Sequence, residues 1–144
     1  MKKIILFINF LFFLISNAQI LSNAEEAFAL SVKINKPVFL IFSGSDWCQK
    51  CIHFEKKILS DTSFIQFSNE NLILLNADFP QRKKLSNEEV KQNEALAESY
   101  NPDGLFPRFV LIDSDKKVIA TITYNQQTST DFISELNFCI KKQN

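Results

Sequence analysis

The sequence predicts an α/β protein in which one mixed β-sheet carries helices on both faces. Three features predict it. Two unbroken apolar runs of strand length, Val38 to Phe42 and Leu72 to Leu75, flank a helical pattern, as expected of strands covered on both sides. Later the chain turns back on itself, with Arg108 to Asp113 and Lys117 to Tyr124 reading as an antiparallel hairpin around Ser114-Asp115-Lys116. The last stretch then sets Phe132, Leu136, Cys139 and Ile140 along one side of a helix.

The beginning of the chain reads differently. Lys2 and Lys3 precede a 12-residue run, Ile4 to Ile15, that is apolar apart from Asn9, and Ser16-Asn17-Ala18 ends in a small residue. This is the pattern of a secretory signal peptide, with cleavage expected after Ala18 and a single domain spanning 19–144. A membrane-spanning helix needs about 20 apolar residues, so no stable membrane anchor is expected once the leader is removed. The expected location is periplasmic or secreted. The full chain has 16 basic and 16 acidic residues, and removing two lysines leaves a formal balance of −2. So small a charge points away from nucleic acid and from an anionic membrane surface.

Within the domain, Ala24 to Ile34 is expected to be helical, with Glu25 and Glu26 at the end where the helix dipole favours acids. Pro37 stops it, and the first covered strand follows. From Cys48 the pattern is helical again, with Ile52, Ile58 and Leu59 as inner positions and Lys56 and Lys57 outside. A short helix over Thr62 to Ser68 leads to the second strand, which ends near Asp78-Phe79-Pro80. Two covered strands joined through a helix form a parallel unit. Arg82-Lys83-Lys84 reads as a solvated loop. Ser86 with Glu89 forms a capping-box signature, and Asn101-Pro102 ends the helix so begun. Thr128, Ser129 or Thr130 can cap the last helix, and Lys141 and Lys142 close it.

The segment FSGSDWCQKC, residues 42–51, gathers one of two glycines, the only tryptophan and two of three cysteines. Outside the cytoplasm a close cysteine pair is either a staple or a working redox centre. Cys48 falls at the first turn of a helix, where free N–H groups and the dipole favour a thiolate. Cys51, one turn on, can attack a mixed disulfide formed at Cys48. Trp47 can shield the sulfur and offer a partner a flat apolar surface. Gly44 frees the backbone to leave the strand, and Lys50 adds a charge that favours the thiolate.

WCQKC after a covered strand resembles the WCxxC motif of the thioredoxin superfamily, and FSGSDWC resembles the entry loop of its exported bacterial members. The resemblance covers nearly all of 19–144. It implies a thioredoxin fold and a thiol-disulfide oxidoreductase that exchanges dithiol and disulfide with partner proteins. Cys48 and Cys51 would be the catalytic pair and its redox-active disulfide. Gly104-Leu105-Phe106-Pro107 resembles the family's cis-proline loop, which implies a cis Phe106–Pro107 bond facing Cys48. Trp47, Phe106 and Pro107 would then hold an extended substrate segment. The implied partners are protein thiols or disulfides and an unidentified redox partner; no cofactor is implied, because the sulfurs carry the electrons.

Two departures stand out. Leu40-Ile41-Phe42 offers no counterpart of the buried acid that many thioredoxins use to move the proton of the second cysteine. Gln49-Lys50 matches neither the Gly-Pro of reducing members nor the Pro-His of strongly oxidising ones, so reductant, oxidant and isomerase all stay open. The alternative is a binding module of the same fold with a static disulfide. Other readings are weaker. A staple closing so short a loop restrains little of the unfolded chain. Zinc would need four ligands from Cys48, Cys51, His53 and Asp46, with no second CxxC, and no metal is expected. Haem attachment fails because Ile52 separates Cys51 from His53. His53 lies about 140° around the helix from Cys48 and is expected to face solvent. Cys139 is expected to be an ordinary buried thiol, and Asp46 and Asp78 surface residues near the site.

Overall fold

A computed structural model describes residues 18–142; the signal-peptide reading lies, Ala18 apart, outside the described residues. The elements are β1 (Ile20–Leu21), α1 (Ala24–Ile34), β2 (Val38–Ser43), α2 (Gln49–Phe54), a π-helical turn (Glu55–Leu59), α3 (Thr62–Asn71), β3 (Ile73–Asp78), α4 (Asn87–Tyr100), β4 (Arg108–Ile112), β5 (Val118–Ile122) and α5 (Ser129–Lys141). The sheet order is β1-β3-β2-β4-β5. β3 runs parallel to both β1 and β2, β4 runs antiparallel to β2, and β5 closes the predicted hairpin.

The sheet separates two cores. All six residues of β2 are buried, so its apolar run needs no alternation. Val38, Leu40 and Phe42 pack with Ala27 and Phe28 of α1 and Leu96 of α4. Phe39 and Ile41 point the other way and meet Phe54, Ile58, Phe64, Phe132 and Leu136 beneath α2, α3 and α5. The predicted α/β architecture, one mixed sheet with helices on both faces, is the architecture observed.

Local chemistry sets the helix starts. Asn23, Asp61, Ser86 and Thr128 each accept a backbone N–H at a helix N-terminus, and Ser86 with Glu89 forms the full capping box. Two features escape a period-based reading. β1 is two residues long and leaves no pattern. The π-helical turn breaks the 3.6 period, with Ser60 N–H donating to the Glu55 carbonyl. Inner positions after Cys48 therefore differ from those expected: Cys51, Phe54 and Ile58 are buried, whereas Ile52 and Leu59 are half-buried.

Phe54 ties α2 to the sheet. Its ring centroid lies 4.2 Å from that of Phe109, 5.0 Å from Tyr124 and 5.2 Å from Phe132. Emptying this fully enclosed position in Phe54→Ala should cost about 3–5 kcal/mol of stability, measured by chemical denaturation; a loss below about 1 kcal/mol would show that α2 is held by something else.

Candidate active site

The site forms where β2 leaves the sheet. Cys48 and Trp47 N–H groups both donate to the Gly44 carbonyl, at 2.8 and 3.2 Å, closing a tight turn after the strand. Gly44 is needed here for space as well as turning: an added Cβ would collide with the Trp47 indole. Cys48 then takes the N-cap position of α2 in extended conformation, and the Cys51 N–H donates to its sulfur at 3.2 Å. The helix start thus directs one of its free N–H groups at this sulfur. Cys48 and Cys51 are disulfide-bonded, and both are buried.

Trp47 stands over this turn, 37% exposed. Its indole N–H donates to the Phe79 carbonyl at 2.7 Å, and its ring meets Phe106 edge-on at 5.4 Å. Phe106 in turn meets Phe79 at 5.4 Å. The Phe106–Pro107 peptide is cis, and Gly104 before it adopts a left-handed backbone. Pro107 and Cys51 line one cavity of about 130 Å³, so residues about 55 positions apart reach the same place through the β2–β4 pairing. The structure therefore brings Trp47, Cys48, Cys51, Phe106 and Pro107 together at one end of the sheet.

That cavity also contains groups not assigned from sequence. Ser43 and Asn76 line it, with the Ser43 hydroxyl 2.8 Å from Asn76 Oδ1 and 3.2 Å from Asp78 Oδ1. Glu55 is there too, four residues after Cys51 and hence on the same helical face. Glu55 is the carboxylate that lines this cavity beside Cys51. The i, i+4 spacing was visible in the chain; its link to the cysteine depended on knowing which face of α2 turns inward.

The structure extends one sequence expectation, for Asp46 and Asp78, and corrects two, for His53 and Cys139. Asp46 accepts the consecutive backbone N–H groups of Gln81, Arg82 and Lys83 at 2.9, 2.6 and 3.1 Å, fastening the loop after β3 to the cysteine loop. Asp78 accepts from the Ser45 N–H and hydroxyl. Both are thus structural fasteners as well as polar residues near the site. His53 is half-buried, with Nδ1 2.7 Å from the Tyr124 hydroxyl, because the chain after β5 passes beside α2. Cys139 is half-buried against the core and unpaired, and burial raises its thiol pKa. Among the described residues no three metal-ligating side chains gather in one place, and no helix is long and apolar enough to cross a membrane.

A parallel-antiparallel sheet of this order, with a CxxC pair at the start of α2, defines a thioredoxin-fold thiol-disulfide oxidoreductase. The chain belongs to the thioredoxin-like family, whose model matches residues 19–114. It is 32% identical to the disulfide bond reductase DsbH of Chlamydia pneumoniae over 116 residues, covering 81% of this chain and 69% of that protein. A solved DsbH oxidoreductase superposes with a TM-score of 0.82 at 30% identity, covering 88% of this chain and 86% of that one. The disulphide isomerase of Xylella fastidiosa, at 21% identity and TM-score 0.60 over 78% of this chain and 87% of that one, shares the fold.

The Asp46 fastening has a definite pH dependence. The backbone N–H of Gln81, with those of Arg82 and Lys83 and the Arg82 charge, holds the Asp46 carboxyl below its ordinary pKa against a partial desolvation. A carboxylate so depressed stabilises the fold above the unfolded-state value of about 3.9, and the contribution is lost as pH falls through the folded value. Asp46→Asn should therefore be less stable than the parent at pH 7, with the gap closing in acid. Denaturation midpoints compared from pH 7 to about 2.5 would show this, and a gap that did not change with pH would contradict it.

Proposed function

We propose that this protein is an exported oxidoreductase that reduces disulfides in partner proteins. The observation that carries the proposal is the hydrogen bond from the Cys51 N–H to the Cys48 sulfur at the head of α2. In the dithiol state that donor and the helix dipole favour a Cys48 thiolate. The thiolate attacks one sulfur of a partner disulfide, forming a mixed disulfide and releasing the partner's other sulfur as a thiolate that takes up a proton. Cys51 then loses its proton and attacks Cys48, which frees the partner's remaining sulfur and leaves the internal disulfide. Two electrons pass to the partner, and an external dithiol returns them. No dissociable cofactor enters.

Trp47, Phe106 and Pro107 form the rim on which an extended partner segment lies, its backbone pairing with that of Phe106. The reducing direction is supported by the Chlamydia pneumoniae relative, a disulfide bond reductase. Export is supported by the leader-like pattern of 1–18. Cleavage after Ala18 leaves β1, which begins at Ile20 and pairs with Leu74 and Leu75, inside the mature domain.

Replacing Cys51 with alanine should leave Cys48 able to attack and unable to let go. Partner proteins should accumulate as thiol-sensitive adducts on non-reducing gels, and adding Cys48→Ala should remove them. Partner binding that persists without either cysteine would instead favour a static binding module.

Glu55 takes the proton that Cys51 must lose, directly or through water in the cavity they share. Glu55→Gln should slow release of the mixed disulfide near pH 7, by about 100-fold or more if the carboxylate acts as a full general base. The deficit should shrink above about pH 8.5, where a thiol ionises without help. Single-turnover release rates across pH decide the matter; an unchanged rate at pH 7 excludes this role.

A further inference from the structure

Beside the cysteine turn, on the side of α2 away from the Cys51 cavity, lies a second hollow of about 370 Å³. Lys50, His53 and Lys56 line it at three-residue spacing, with Tyr124 and Gln126 closing the other side. The wall is firm. Tyr124 is 7% exposed, stacked edge-on against Phe54 and Phe132, and bonded through its hydroxyl to His53. Gln126 is held over the hollow by a left-handed backbone after β5.

This hollow has positive charge without a countercharge. Among the described residues the ion pair is Arg108 with Asp103, so neither Lys50 nor Lys56 has a carboxylate within 4.0 Å. The acids nearest the cysteine turn are turned to other donors: Asp46 to three backbone N–H groups, Asp78 to Ser43 and Ser45. Glu55 lines the cavity on the opposite side of the helix. Across Trp47, the loop fastened by Asp46 presents exposed Arg82, Lys83 and Lys84. The whole chain is formally neutral, so the basic lining of this hollow is a local arrangement and not a by-product of net charge.

We infer that the hollow lined by Lys50, His53 and Lys56 receives acidic side chains of the partner protein, so that disulfides flanked by Asp or Glu are the preferred substrates. This deepens the exchange reading and rests on it. Lys50 sits between the cysteines and affects the thiolate itself; Lys56, two turns from Cys48, reports on docking.

The test uses two peptides of equal length, each closed by one disulfide, with two glutamates or two lysines beside the cysteines. Their reduction by the reduced protein is followed at low salt and at about 1 M salt, where the screening length falls to about 3 Å. The acidic peptide should react faster by about tenfold at low salt, with the gap closing at high salt. Lys56→Glu should erase or invert the preference and Lys56→Arg should keep it. The effect of flanking charge on each peptide's own sulfur cancels in that comparison. A preference unmoved by Lys56→Glu, or equal rates at low salt, overturns the inference while leaving exchange intact. Failure to reduce either peptide overturns the exchange reading and this one with it.

Discussion

A sulfur in the place of a capping oxygen governs this structure. Most helices here begin with an Asn, Asp, Ser or Thr whose oxygen accepts a free backbone N–H, but α2 begins with Cys48 in that position. On the proposed mechanism, the capping contact of α2 and the stabilisation of the attacking sulfur are therefore one interaction. A helix needs its first N–H groups satisfied, and a thiolate needs donors; placing the cysteine at the N-cap meets both needs. It also makes the start of α2 sensitive to what happens at the sulfur, because its side-chain acceptor changes with each redox step.

Such an arrangement works only if the sulfur is held still, and the neighbouring contacts do that from three directions. Gly44 lets the turn pass under the indole of Trp47, which is fixed by the Phe79 carbonyl. Phe54 anchors the far end of α2 among Phe109, Tyr124 and Phe132. Asp46 and Asp78 fasten the cysteine loop to β3 and the loop beyond it. Apart from the Gly44–Trp47 contact, each of these joins segments more than thirty residues apart, so the geometry of a ten-residue motif is a property of the sheet beneath it.

This explains what could be read from the chain. Strands β2 and β3, the start of α2, the hairpin and the Phe106–Pro107 loop were legible because local signals define them: an unbroken apolar run, a tryptophan before CxxC, a turn sequence, a proline after Gly104-Leu105-Phe106. The long-range fasteners were not. Asp46 and Asp78 looked like surface polar residues because nothing near them reveals donors at Gln81 or Ser45. His53 was placed in solvent by its angle on α2, whereas Tyr124, 71 residues away, covers it. Glu55 had the right spacing from Cys51, but the π-helical turn that follows upset the pattern by which the inner face of α2 would have been recognised.

The missing acid in β2 has a physical counterpart. Every residue of that strand is buried, with Leu40 and Phe42 packed against α1 and α4. An ionised carboxylate in such a strand would lose its hydration at a cost of several kcal/mol unless paired. A carboxylate at the first residue of the π-helical turn, one turn after Cys51, avoids that cost. Glu55 is exposed to solvent, yet it borders the same small cavity as Cys51, a residue only 5% exposed. A proton arriving there can pass to solvent without crossing the core. Val38 to Phe42 of β2 can then be wholly apolar, while on the proposed role of Glu55 the proton leaves from the turn after α2. On the proposed role of Glu55, an acid after α2 in place of one in β2 separates the requirements of the core from those of the chemistry.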